Sequence, residues 1–309
     1  MFSAVIEMKP PYSFERLLQR LRTHPDEQLR VEPDARLLKR AFRIEDKPHV
    51  VTLRFLGDTE TPRLEVETDA LLTPAGQAKL LATIRHMFSA DVDLAPLYAF
   101  MAEDERLRPL SERFRGLRYL LDADLFQSMI RTIIGQQLNL AFAATLTSRL
   151  LQLCGERVED EAGHTYLVFP SPESIARLQV EQLRNLQFSQ RKAEYIIDFA
   201  RAVVEGKVEL ERLARMEDEE IIAYLTALRG IGRWTVECLL MFGMGRPDLL
   251  PAADIGLRNG IQLVYGLADK PSEQEIRQLG ESWRPWRSYV SLYIWEALGA
   301  VKRKEVFDN

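Results

Sequence analysis

The stretch "LRGIGRWTVE", Leu228–Glu237, sets two glycines around one isoleucine and follows them at once with Arg233, Trp234 and Thr235. Upstream, "LTALRG" ends a helical pattern whose apolar face carries Leu225 and Leu228. Downstream, helical periodicity resumes over 233–242, so the segment reads as helix, hairpin, helix. Gly230 and Gly232 permit backbone angles that a side chain resists. The N–H groups of the turn and of the helix that follows then point outward together and form a seat for an anion. Arg229 and Arg233 add cations at its rim. Such a seat holds a phosphate backbone without reading sequence. A Gly-x-Gly pair alone is equally an ordinary corner between two helices, so the surroundings have to decide.

About twenty residues on stands "LLPAADIGLRNGI", with Asp254 after Pro251 and directly before a helix over 255–265. One reading is a capping aspartate. The other is a catalytic carboxylate held at the positive end of a helix. The two are compatible.

The rest of the chain sets the frame. Its 309 residues exceed what one core usually serves. Hydrophobic residues make up 46% and charged residues 28%, as in ordinary globular proteins. No apolar run approaches the roughly 18–20 residues of a membrane span, and "MFSAVIEMKPPYSF" has no secretory pattern. The expected compartment is the cytoplasm, and no membrane partner is expected. Two cysteines, Cys154 and Cys238, rule out a disulfide framework and a four-cysteine zinc or iron–sulfur site. His24, His49, His86 and His164 are scattered without metal-ligand spacing. The net charge of −5 gives no global support for a polyanion partner, so any nucleic-acid face must be local.

Residues 1–88 read as a small domain with an antiparallel sheet. "FSAVIEM" alternates, Ser13 caps a short helix, and "RLLKRAFRI", "HVVTLRFL" and "RLEVET" form a meander. Thr73 and Pro74 open a helix with apolar residues at 80, 81, 84, 87 and 88. From about residue 90 helices follow one another: 94–103, 124–136, 139–153, 172–178, 180–186, 190–205, 218–227, 233–242, 255–265, 272–282 and 287–299. The insert "GERVEDEAGHTYLVFPSPE" reads as a small hairpin or a loop. The fold class is α+β: a sheet-containing domain, 1–88, then a mostly helical, two-lobed domain, 89–309, with its hairpin at 225–242 and a loop at 243–256 that ends on the aspartate.

The pattern "LxxLxGIGxxT" followed by Pro-x-x-Asp resembles the helix-hairpin-helix (HhH-GPD) DNA glycosylase superfamily. "GIGRWT", "RPWRSYVSLYIW" and "IIGQQLNLAFAATLTSRLLQLCGERV" are similar to the AlkA-type 3-methyladenine DNA glycosylases II, and "PPYSFERLL" with the meander to the N-terminal domain of that family. The resemblance implies a base-excision-repair enzyme that flips an alkylated purine out of double-stranded DNA and hydrolyses its N-glycosidic bond. Asp254 matches the family's catalytic aspartate. Trp234 and Trp295 match aromatic pocket positions, for which helix core is the plain alternative. Cys238 stands one turn after Trp234, where this type can carry a tyrosine. Arg229, Gly230, Ile231, Gly232, Arg233, Thr235, Arg258 and Arg287 are the expected DNA contacts. Gln137 matches the wedge that fills the emptied base stack, with Leu138 beside it; equally, Gln136 and Gln137 cap helix ends.

Family hairpins hold a monovalent cation, Na+ or K+, on backbone carbonyls, and the matching positions are Thr226, Leu228 and Ile231. No other cofactor and no iron–sulfur cluster are expected. Glycosylase-lyases of the superfamily carry a lysine nucleophile at the hairpin. No lysine lies between Lys207 and Lys270, so water is expected to attack and the strand to stay uncut. A monomer suffices, since one flipped base is a local task. Two readings compete: a non-catalytic DNA-binding damage reader, and a glycosylase for oxidised or deaminated purines. Arg284 and Arg287 either contact phosphates or pair with Glu281. Arg191 and Lys192, at a helix start where cations are unfavourable, suit a phosphate partner or, more simply, a solvated surface.

Overall fold

The computed structural model of the chain describes residues 1–22 and 26–305; His24 lies outside them. Strand β1 (Phe2–Glu7) leads into helix α1 (Phe14–Arg22), then β2 (Leu29–Glu32), β3 (Leu37–Ile44), β4 (Lys47–Leu56), β5 (Arg63–Thr68) and helix α2 (Pro74–Met87). All pairings are antiparallel and the sheet order is β1-β5-β4-β3-β2. The meander is as the alternation predicts. The short strand β2, "LRVE", had too few residues to show a period.

Val51, Leu53, Leu64 and Val66 are fully buried, and cluster with Phe14, Leu17 and Leu18 of α1 and Leu80, Ile84 and Met87 of α2. Each such side chain contributes about 1.5–3 kcal/mol on burial, so this cluster holds the small domain together. Thr73 caps α2 by accepting from Gly76 N–H at 3.1 Å, with Pro74 in the first turn.

The helical part continues with α3 (Ala95–Ala102), α4 (Arg108–Arg113), α5 (Leu125–Gly135) and α6 (Leu140–Cys154). The insert is a hairpin of β6 (Glu156–Glu159) and β7 (Thr165–Val168). It lies on the small domain, where Tyr166 and Val168 pack with Ala41. There follow α7 (Pro172–Ala176), α8 (Val180–Asn185), α9 (Gln190–Val204), α10 (Leu210–Leu213), α11 (Asp218–Thr226) and α12 (Arg233–Cys238), a π-helical turn (Leu239–Gly243), α13 (Ile255–Tyr265), α14 (Glu273–Glu281) and α15 (Arg287–Lys302). Three elements depart from expectation. Helices α4 and α10 are too short for periodicity to reveal. The helix expected over 233–242 changes its winding after Cys238.

One arginine staples the two parts. Arg118 is 4% exposed and donates to four carbonyls: Pro11 at 3.2 Å, Ser89 at 3.0 Å, Val92 at 2.5 Å and Lys9 at 2.6 Å. A buried guanidinium is tolerated only when its donors are used in this way.

Candidate active site

The hairpin begins where α11 ends. Gly230 has φ of +83°, and the face that a Cβ would occupy is filled by the Tyr195 ring, whose nearest atoms would lie 2.3 Å away. Glycine is therefore obligatory on two counts. Gly232 caps α12 without a side chain and faces open space. Among the described residues, the N–H groups of Gly230, Gly232, Arg233 and Trp234 donate to no protein group. Four donors without protein partners on one turn are what an anion seat requires.

The rim cations are not free. Arg229 pairs with Glu194 and lies over the Tyr195 ring at 5.4 Å. Arg233 pairs with Glu219 at 2.7 Å and with Glu237 at 3.0 Å. The seat's positive character thus comes mainly from backbone dipoles.

Beyond the hairpin, α12 gives way to a π-turn in which Met244 N–H donates to Leu239 O at 3.1 Å. The turn packs closely on α5: a Cβ on Gly243 would sit 2.9 Å from Ser128 Oγ. His86 of α2 reaches across and contacts the Gly243 carbonyl at 2.7 Å. The π-turn presents Phe242, whose ring stacks on Trp295 at 6.0 Å with 28° between planes and meets Tyr119 edge-on at 5.7 Å.

Asp254 caps α13, accepting from Leu257 N–H on Oδ1 at 2.6 Å. The same oxygen accepts from Trp295 Nε1 at 3.0 Å. Helices α13 and α15 approach closely here because residue 260 is glycine; a Cβ there would lie 2.6 Å from Ile294. Oδ2 accepts from no described residue. The half-buried carboxylate therefore keeps one oxygen available while the other fixes its orientation. Cys238 is 7% exposed. Burial pushes its thiol well up, and the Asp254 charge adds to this. A buried thiol of this kind is inert. Trp234 is half-buried at the start of α12.

The loop between α5 and α6 carries the residues matched to the wedge. Gln137 is exposed with φ of +57°, whereas Leu138 is half-buried against the helical core. Gln136 does not merely cap α5: its side-chain amide donates to Gly230 O and to Thr235 Oγ1, both at 2.9 Å. Thr235 is 2% exposed and serves this internal bond.

Four basic side chains are engaged within the protein. Lys192 is 8% exposed, not solvated, with Nζ bonded to Ile134 O at 2.5 Å and Gln136 O at 2.8 Å. Arg287 is mostly buried, bonded to Asp248 at 2.7 and 3.0 Å, and also pairs with Glu281 at 3.6 Å. Arg284 shares that carboxylate and also pairs with Glu281 at 3.0 Å. Arg258 donates to Pro271 O at 2.9 Å. Sequence reasoning missed Phe242 and the bonds that Gln136, His86 and Lys192 make. Their partners lie far away along the chain, and no local pattern marks them.

The chain matches known families over most of its length. Residues 130–285 match the HhH-GPD superfamily base excision DNA repair proteins, and residues 4–120 match the AlkA N-terminal domain. It is 37% identical over 301 residues to the YfjP protein of Bacillus subtilis (strain 168), covering 96% of this chain and 100% of that one. The structure of a 3-methyladenine DNA glycosylase from Archaeoglobus fulgidus superposes with a TM-score of 0.83 at 27% identity, covering 99% of this chain and 100% of that one. The structure of the Schizosaccharomyces pombe 3-methyladenine DNA glycosylase Mag1 in complex with abasic DNA gives a TM-score of 0.55 at 28% identity, covering 65% of this chain and 96% of that one.

Proposed function

This chain belongs to the HhH-GPD superfamily of base excision DNA repair proteins, and from that premise we propose that it is a monofunctional glycosylase for alkylated purines in double-stranded DNA. It is a DNA glycosylase with AlkA-type organisation. The observation that carries the finer reading is the Asp254 carboxylate, with Oδ1 held by Leu257 N–H and the Trp295 indole and Oδ2 unengaged.

An alkylated purine carries positive charge and leaves without a strong general acid. As the C1′–N bond breaks, its electron pair goes to the base and C1′ becomes oxocarbenium-like. Asp254 stabilises that charge. Water then bonds to C1′ and its proton passes to the carboxylate. The flipped base stacks on the electron-rich faces at Trp234 and Trp295, where cation–π attraction favours a cationic purine over a neutral one. The small Cys238 leaves the pocket wide at its floor. Gln137 fills the vacated stack. The N–H groups of Gly230, Gly232, Arg233 and Trp234 hold the phosphate, with Arg229, Arg233 and Arg258 around them.

The hairpin carbonyls suit a monovalent cation. Those of Thr226 and Ile231 accept no hydrogen bond among the described residues, and that of Leu228 accepts one, from Ile231 N–H at 3.2 Å. Bare carbonyl oxygens are hard donors, and a cation on them would add positive charge beside the phosphate seat. The protein acts as a monomer on cytoplasmic DNA.

The test is release of free methylpurines from methylated duplex DNA in EDTA, by the wild type and by Asp254→Asn. Release by the wild type alone, with DNA binding equal in both, is the expected result. Binding without release by the wild type makes the protein a reader. A borohydride-trapped adduct or a cut strand makes it a lyase.

A further inference from the structure

Helix α9 touches both surfaces assigned to DNA. Its Lys192 reaches the C-terminal end of α5 and donates to Ile134 O and Gln136 O. These carbonyls form the negative end of that helix, where a cation is favoured. Three residues on, Tyr195 packs against Gly230, and Glu194 holds Arg229. From the loop side, Gln136 bonds to Gly230 O and Thr235 Oγ1. One continuous path, Lys192 to Gln136 to Gly230 and Thr235, thus joins the exposed loop at Gln137 to the hairpin with its four free N–H groups.

We propose that Lys192 and Gln136 clamp the loop 136–139 to the hairpin so that the two press on duplex DNA as one body, which makes both of them positioning residues for base extrusion. The argument is one of preorganisation. The hairpin grips the backbone while the loop must enter the base stack, and a loop that orders only on entry loses the free energy of that ordering. A buried ammonium and two helix-end carbonyls also satisfy each other, which neither can do alone once water is excluded. The inference rests on reading the loop 136–139 as the element that fills the stack.

The experiment uses the full chain and a duplex carrying 2-aminopurine beside a tetrahydrofuran abasic analogue, with fluorescence reporting unstacking and anisotropy reporting binding. Lys192→Met and Gln136→Leu are expected to bind within about threefold of wild type yet unstack about tenfold or more slowly. Lys192→Arg, which keeps two donors, is expected to regain most of the rate. Gln137→Ala, with the clamp intact, is expected to lose the signal as well. Wild-type unstacking by both Lys192→Met and Gln136→Leu overturns the clamp, as does an equal loss of binding and unstacking in the two. If Lys192→Met and Gln136→Leu lose the signal but Gln137→Ala retains it, the clamp stands and another loop residue is the wedge. A silent wild type overturns both.

Discussion

The Trp295 indole donates at 3.0 Å to the one Asp254 oxygen that also caps α13. A residue matched to the stacking pocket therefore also aims the carboxylate, and in the proposed mechanism this links base binding to the catalytic group. Phe242, stacked on the same indole, helps hold that ring in place.

Replacing Trp295 by Phe keeps a ring beside Phe242 but removes the N–H. Single-turnover release of methylpurine should fall about tenfold, with DNA affinity unchanged, since only orientation is lost. Asp254→Asn should cost far more, about 10²–10³ in rate. Its melting temperature should stay near wild type, because asparagine caps helices as well as aspartate does. Equal rates for wild type and Asp254→Asn would reduce the aspartate to a cap.

The two hairpin glycines should separate folding from binding. Gly230→Ala drives a Cβ into the Tyr195 ring at a φ of +83°, and should destabilise the protein by about 1–3 kcal/mol. Gly232→Ala meets nothing within 4 Å, so its melting temperature should barely move. Its methyl group stands where a phosphate would approach, and affinity for undamaged duplex should drop. Paired melting and anisotropy measurements check both.

Much of this was legible because it is local. The hairpin, the cap at Asp254 and the indole at Trp295 are spaced motifs, and long helices such as α9 and α15 announce themselves by period. What stayed hidden has one cause: its partners are remote. His86 contacts a carbonyl 157 residues away and Lys192 one 56 residues away. A cation in the first turn of α9 is unfavourable there; the structure shows that the dipole it answers belongs to α5. The π-turn depends on close packing of Gly243 against Ser128, which no pattern within "ECLLMFGMG" reveals.

Lys192 should leave a pH signature. Burial lowers its pKa from 10.5 to about 8. The folded state therefore binds fewer protons than the unfolded chain between those values, and stability rises with pH across the window. The contribution is fully present above about 10.5 and is lost as pH falls through about 8. Urea unfolding of wild type and Lys192→Met from pH 7 to 10.5 should show the wild type gaining relative to the variant. A constant difference would mean that the amine is not desolvated.

Electrostatics at the rim should be weak and additive. The chain carries a net charge of −5 and both hairpin arginines are already paired with carboxylates, so non-specific DNA affinity should fall only modestly as salt rises. Arg229→Ala should weaken binding to all sequences alike and lower the slope of log K against log salt by about 1. Glu194→Gln should do the opposite, because the Arg229 guanidinium then loses its internal anion and turns to phosphate. Titrations at several salt concentrations distinguish the cases. If Glu194→Gln leaves both affinity and slope unchanged, Arg229 stays with the protein when DNA binds, and the hairpin holds phosphate by its backbone alone.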